Sequence, residues 1–405
     1  QAWRYEPKVA TGLALQHLPC RGLSYQPPGA GGAGAPAAPA AAAAAPAPAQ
    51  GAAAATLPPP GPTNVPPADV VTSGGNTGAQ PGACAAKLFM PTADGRLVAL
   101  NPDNGQPCTN FAGGKGEINL WANMPNLNPG SYYSTSPVVV AGDRLIVGGT
   151  VLDNVSTKQQ SGVIRAFDIA SGALLWNWDS GNPEQTAPIG EGQTYTVNSP
   201  NSWSISSVDE KLGLVYVPMG NQPPDQWGAN RSPAVEQYSS SVVALELGAG
   251  KVRWAFQTVD PDLWDNDVPS QPSLIDLTVN GQAVPALVQP TKQGELFVLD
   301  RRTGTPIVPV TEVPAPQGAT QGDHTAPTQP KSGLSFEPAP LTGRDMWGAT
   351  LFDQLACRIA FHRLRYEGPF TPPSTQGSLI YPGNFGVFNW GSIAVDPQRG
   401  VAFTT

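Results

Sequence analysis

The sequence predicts an all-β fold, a β-propeller of four-stranded blades, on three observations. Charged residues are 13% of the 405, whereas glycine and proline number 45 and 46. Helical bundles need charged outer faces and few chain-breakers, so this balance suits short strands joined by many turns. The second observation is a pattern that recurs along the chain: a strand ending on an acid or Asn, a short turn, a glycine, and an apolar strand often carrying Trp. The third is its spacing, with 67, 78 and 54 residues between successive pattern glycines. Those intervals are too long for single hairpins and fit four-stranded sheets with loop insertions.

The copies follow in order. LVALNPDNGQPC, a degenerate one, carries Asn101 and Gly105. IRAFDIASGALLWNW carries Asp168, Gly172 and Trp176, and VVALELGAGKVRWAF carries Glu246, Gly250 and Trp254. LFVLDRRTGTPI carries Asp300 and Gly304. Glycine supplies the positive-φ position of each turn and the acid or Asn caps it. The Trp is expected to pack between neighbouring sheets. The opening AWRYEPK matches the tail of a further copy with Trp3 in the Trp position, and the closing GVAFTT reads as a strand of an unfinished blade. Both suggest a piece of a longer propeller, residues 1–405 forming a partial one; a smaller propeller closed by its own ends is the other arrangement the pattern allows.

Residues 27–83 stand apart: of these 57 residues, 20 are Ala, 13 Pro and 10 Gly. No charge occurs between Arg21 and Asp69. Such a segment cannot bury a core, and a disordered insertion is expected there. The ten Trp and twelve Phe supply core material for the rest. The net charge of −8, without a basic run, argues against a nucleic-acid partner, because phosphate recognition needs clustered Lys and Arg. Outside the Ala/Pro tract there is no run of 18 apolar residues to span a bilayer. The four cysteines, Cys20, Cys84, Cys108 and Cys357, show no CxxC spacing, which argues against a zinc or thioredoxin-like site. Cys84 and Cys108 flank one strand and turn; a disulfide in an oxidising compartment and two buried thiols are equally compatible with that. No phosphate loop, GxGxxG, serine elbow or HExxH occurs, so NAD, ATP and hydrolase readings lack support.

The glycine–Trp repeat resembles the tryptophan-docking motif of the pyrroloquinoline quinone (PQQ) dehydrogenases, which are eight-bladed propellers. The strings QHLPCRGLSY (16–25), SGVIRAFDIASG (161–172), NSPNSW (198–203), DLWDNDVPSQP (262–272), PTKQGELFVLDRRTG (290–304), DMWGATLFDQLACR (345–358) and RYEGPFTPPS (365–374) are similar to the membrane-bound glucose/quinate/shikimate branch. The segments VPMG, WGAT and GPFTPPS are most similar to its glucose dehydrogenases. The resemblance implies oxidation of an aldose, glucose to gluconolactone, with PQQ and a divalent cation (Mg or Ca) as cofactors and ubiquinone as electron acceptor. It implies the periplasmic face of the bacterial inner membrane, reached through a membrane segment this chain lacks. The same chemistry on quinate, shikimate or another polyol is the nearest alternative; a non-catalytic scaffolding propeller is an alternative of another class. A scaffold would need the docking repeats but not DLWD and TK together.

The resemblance assigns roles to particular residues, each with a plainer reading beside it. Asp265, in DLWDND, is implied as the base that removes the hydroxyl proton as hydride leaves carbon; Asp262, Asp265 and Asp267 could equally cap turns. The His that usually precedes this string is replaced by Val259-Asp260-Pro261, which bears on substrate preference. Lys292, otherwise a solvated lysine, is implied to stabilise charge developing on the quinone. Trp203, otherwise blade packing, is implied as a flat floor beneath the planar cofactor. Asp153 and Asn154 resemble the metal-binding pair, although DN is also a common turn. A third ligand position, a Thr in the family, is Pro223 here, and Asn221 in PMGNQPPDQWG is expected to compensate. Arg21 and His17 match positions near cofactor and substrate; Arg could pair with a cofactor carboxylate, and His17 would line the sugar site. Asn389 and Trp390 stand where a late loop could touch the cofactor edge. His324 and His362 belong to no motif.

Overall fold

The computed structural model describes residues 2–16, 21–29 and 82–404. His17, Cys20 and nearly all of the 27–83 insertion lie outside the described residues. Four antiparallel sheets follow one another in chain order, their strands in sequence order apart from Thr150–Val151, which interrupts the second sheet to pair with Tyr132–Tyr133. The first contains Ser24–Gln26, Lys87–Pro91, Arg96–Leu100 and Glu117–Asn119, and the second Val139–Ala141, Arg144–Val147, Ile164–Asp168 and Leu174–Trp178. The third contains Ser207–Asp209, Leu214–Pro218, Ser241–Glu246 and Val252–Gln257. The fourth has three strands, Ser273–Val279, Gln282–Pro290 and Leu296–Asp300, and Ala394–Asp396 pairs with Val401–Phe403 in a further sheet. The first strand of each sheet lies beside the first strand of the next, so these strands converge on a common axis. That is the propeller arrangement expected from the repeat.

The second and third sheets are covered on both faces by their neighbours. Strand sequences therefore read as apolar runs rather than as alternation, as in LVYVP (214–218), buried throughout. Three apolar clusters fill the gaps between successive sheets. Phe89, Leu97, Leu145 and Phe167 lie between the first two, Ile164, Trp178, Val217 and Val243 between the second and third, and Leu214, Tyr216, Leu287 and Phe297 between the third and fourth.

The repeat glycines are the seats that join these sheets. Trp176 lies on Gly250, and a Cβ added there would stand 2.5 Å from the indole. Trp254 lies on Gly304 in the same way, and Trp3 on Gly105. In all three the indole Nε1 donates to the carbonyl three residues before the seat: Pro102 at 2.7 Å, Leu247 at 2.9 Å and Arg301 at 3.0 Å. The seat glycine closes its turn with its own N–H on Asn101, Glu246 or Asp300 and has positive φ. Gly172 receives Phe111, which stands in for the Trp that the degenerate copy lacks.

Cys84 and Cys108 form a disulfide, with Cα atoms 5.4 Å apart, which resolves the choice left by their spacing. Between the fourth sheet and the last hairpin the chain departs from the all-β pattern. It forms a separate hairpin, Val310–Pro314 with Thr328–Ser332, and the helix Leu351–Arg363. That helix starts at a reciprocal capping box, Thr350 with Asp353. No helix among the described residues is long and apolar enough to cross a membrane.

Candidate active site

The chain enters the first strand of each sheet at the same end at which it leaves the second strand, because the two are antiparallel. Loops before first strands and loops after second strands therefore gather on one end of the propeller. They line a cavity of about 350 Å³, within the usual range for small-molecule sites. Arg21, Thr135, Trp203, Asp265, Asp267, Asn389 and Trp390 come from loops before first strands; Asp153, Asn154 and Lys292 come from loops after second strands.

Asp265 is held by the loop around it. Asp262, fully buried, accepts the Ser240 hydroxyl at 2.6 Å and the Trp264 N–H at 2.9 Å. Trp264 packs on Phe370 and donates its indole N–H to the Thr371 carbonyl at 2.7 Å. Asp262 thus has the turn-capping role, while Asp265, at φ +60°, turns its carboxylate toward the cavity. Lys292 follows the strand Gln282–Pro290 in a turn closed by Gly294 N–H on the Thr291 carbonyl at 3.0 Å. Its ammonium lies 2.9 Å from Asp265 Oδ1, 2.7 Å from the Asp265 carbonyl and 2.5 Å from Asp267 Oδ1. Asp267 also accepts the Trp203 indole N–H through Oδ2. Asp265, Lys292 and Trp203 are therefore brought together, and Asp267 is the hub between them. Asp267 lies two residues after Asp265 on the same loop, and both carboxylates are within reach of one lysine.

The charge balance is unusual for a buried site. Burial, together with the charge of Asp267, pushes the Asp265 carboxyl up to about 8 in spite of Lys292. Burial, then Asp267 and Asp265, pushes Asp153 up to about 7. Burial, then Asp153, does the same to Asp225, also to about 7. Burial opposes the Lys292 ammonium, but Asp267 and Asp265 outweigh it and raise its pKa. Arg21 lies 3.5 Å over the Trp390 ring and 5.4 Å from the Trp203 ring, and burial lowers its pKa to about 10.

Asp153 and Asn154 lie on the cavity wall. The Asn154 amide donates to Asp225 Oδ2 at 2.7 Å and its oxygen accepts the Asp225 N–H at 3.1 Å. Asp225, which no motif marks, lies two residues after Pro223 in the same loop. Asn221 does not join the wall. It is buried, and its amide donates to the carbonyls of Asp225 at 3.1 Å and Asp262 at 3.3 Å while its oxygen accepts the Gln222 N–H. Bound to the backbone in this way, the buried Asn221 amide braces two loops. Among the described residues no group of three or more His, Cys, Asp or Glu is arranged to hold a metal ion. His324, which had no role in the sequence, pairs with Glu236 at 2.7 Å away from this cavity.

A propeller joined by Trp-on-Gly seats, with an Asp–Lys–Asp–Trp cluster in the cavity at one end, defines the class. The chain belongs to the PQQ family of the glucose/ethanol/alcohol dehydrogenase β-propeller domain, which it matches over residues 67–405. It is 46% identical over 403 residues, 99% of its length, to the quinoprotein glucose dehydrogenase of Escherichia coli, and spans 45% of that relative. It is 41% identical over 324 residues, 79% of its length, to the quinate/shikimate dehydrogenase (quinone) of Acinetobacter baylyi, spanning 40% of that protein. The chain thus covers less than half the length of these relatives. In fold it is similar to the quinohemoprotein alcohol dehydrogenase of Comamonas testosteroni, with a TM-score of 0.52 at 22% identity, covering 78% of this chain and 42% of that one.

Proposed function

We propose that this chain forms the PQQ-binding and proton-abstracting part of a quinoprotein dehydrogenase that oxidises an aldose, glucose to gluconolactone, at its anomeric hydroxyl. The observation that carries this reading is the convergence of Asp265, Lys292, Asp267 and Trp203 on one cavity. PQQ fits the residues present: the indole face of Trp203 suits a planar ring, and Arg21, whose Nε finds no partner, suits a carboxylate. Bound there, the quinone would accept the hydride equivalent from the sugar carbon. Asp265 takes the hydroxyl proton; its raised pKa places its basicity near that of a working general base. Lys292, kept charged by Asp267, provides a fixed cation beside the acceptor. A divalent cation, Mg or Ca, also fits: Asp153 and the Asn154 oxygen are hard donors in a cavity where carboxylates outnumber ammonium groups. It would polarise a quinone carbonyl.

The Cys84–Cys108 bridge supports an oxidising compartment, which we take as the periplasmic face of the bacterial inner membrane, with ubiquinone as electron acceptor and the membrane reached through a segment outside this chain. The relative named as a quinate/shikimate dehydrogenase favours a second reading, the same chemistry on a cyclic polyol. The test is titration of the full-length protein with PQQ and Mg or Ca, followed by dye reduction across glucose, quinate and glycerol. Tight PQQ binding with preference for glucose is expected. Preference for quinate would select the second reading, and no PQQ binding would overturn both in favour of a scaffold.

A further inference from the structure

Asn384 has no part in the chemistry described so far, yet it touches the carboxylate on which that chemistry depends. Its Nδ2 lies 3.1 Å from Asp265 Oδ2, while Lys292 Nζ lies 2.9 Å from Oδ1. The two carboxylate oxygens therefore have different partners, a neutral amide and an ammonium. Asn384 reaches this place on a strap, residues 381–392, that is fastened to the site itself. The Val387 N–H donates to the Lys292 carbonyl at 2.8 Å. Gly386 lies so close to Lys292 that an added Cβ would stand 2.5 Å from its Cα and Cβ. Farther along, Ser270 Oγ donates to the Asn389 carbonyl at 2.7 Å and Ser392 Oγ to the Gln271 carbonyl at 2.8 Å. The strap is thus pinned at one point to the Lys292 turn and at two more to the continuation of the Asp265 loop.

We propose that Asn384 is a positioning residue for the base: its amide fixes Oδ2 of Asp265 toward the cavity, so that Oδ2, through its second lone pair, is the oxygen that accepts the substrate proton. This rests on reading Asp265 as the base. A carboxylate held only by Lys292 could rotate about its Cβ–Cγ bond and present either oxygen to the ammonium. With the amide on the other side, one orientation is selected. A donor to the carboxylate also favours its charged form. The other charged groups that act on Asp265 are Asp267 on its own loop, Lys292 on the fourth sheet's turn and Asp225 on the third sheet's loop; Asp153, which feels Asp265 in turn, faces it from the second. Removing the amide leaves all of these in place.

The experiment is the pH profile of kcat and KM for glucose in the full-length holoenzyme, saturated with PQQ and Ca, for Asn384→Ala, Asn384→Gln and Asp265→Asn. Asn384 is exposed at the cavity mouth, so its truncation leaves the core untouched. Asn384→Ala is expected to lower kcat about tenfold, to change KM less than about twofold and to move the acidic limb of kcat upward by roughly half a pH unit or more. Asn384→Gln, which keeps the donor, should return the limb toward its original position. An Asn384→Ala enzyme whose acidic limb stays where it was, with Asp265→Asn inactive, overturns the positioning role alone. If Asp265→Asn retains full activity, the base assignment fails first, and the role of Asn384 with it.

Discussion

Replacing Lys292 by Met tests the electrostatic design of the cavity most directly. The ammonium is 2.9 Å from one carboxylate and 2.5 Å from another, and its side chain is 6% exposed. At an effective dielectric constant near 20, a unit charge pair at such distances is worth about 6 kcal/mol. The two carboxylates repel each other, so the ammonium's net contribution is smaller than the sum of two such pairs. Met keeps the length of the stem and removes only the charge. What remains is two carboxylates, two residues apart, without a cation between them. Removing one partner of a buried ion pair costs about 3–5 kcal/mol, and that range is expected for Lys292→Met at pH 8. The loss should shrink at pH 5, where one carboxyl takes a proton instead. The double variant Lys292→Met, Asp267→Asn should recover more than about 1 kcal/mol of it, since the two positions touch. Urea unfolding of the cofactor-free protein at both pH values reads all three quantities. A loss below about 0.5 kcal/mol, or the same loss at pH 5 and pH 8, would refute the reasoning, for the ammonium would then be no counterion.

Other consequences follow from the same geometry. With its carboxyl at about 8, Asp265 is mostly protonated at pH 6, so under the proposed function the rate of sugar oxidation should climb as pH rises toward 8, and Asp265→Asn should abolish that climb. The sign for stability is opposite: a carboxyl raised above its unfolded value lets the folded state hold the extra proton, so stability is present at low pH and is lost as pH rises through about 8, which melting across pH 5 to 9 will show. Gly250→Ala should cost about 2–4 kcal/mol, because its Cβ would meet the Trp176 ring at 2.5 Å and its φ is +68°; Gly213→Ala, at φ +65° with open space around it, should cost only about 1 kcal/mol in the same denaturant series. Reducing the Cys84–Cys108 bridge, which closes a loop with a sequence separation of 24, should lower stability by about 3 kcal/mol, read from melts with and without reductant.

The parts of the molecule that sequence disclosed are those encoded locally. A seat glycine needs its positive φ, its preceding acid or Asn and its strand in one short string, so Gly172, Gly250 and Gly304 stood out before any coordinates did. Asp265, Lys292 and Trp203 were legible through whole strings that resemble a family, not through their own chemistry. What escaped depends on which way a side chain turns. Asn221 is an amide in a polar loop, and nothing in PMGNQPPDQWG shows that its donors go to the backbone of Asp225 and Asp262. Asp267 looked like a turn cap, and only the meeting of two loops makes it the hub of Lys292 and Trp203. Phe111 serves as the docking ring for Gly172 because its blade has no Trp in that place, a substitution visible only once the partner across the blade boundary is known.

The position of the site follows from strand direction. In a sheet of consecutive antiparallel strands, the entry to the first strand and the exit of the second lie at one end, whatever the side chains are. Trp203 precedes Ser207–Asp209, Asp267 precedes Ser273–Val279 and Trp390 precedes Ala394–Asp396, while Lys292 follows Gln282–Pro290 and Asp153 follows Arg144–Val147. Each complete blade thus offers two loops to the same end of the axis, and nine loops from five successive sheets can contribute to one cavity without any strand changing its course. The Trp-on-Gly seats lie in the turns after the third strands, at that end's opposite, where no cavity residue is found. Interblade docking and chemistry are therefore carried by different connections. Substitutions at Gly250 or Gly304 should therefore change stability while leaving the cavity intact.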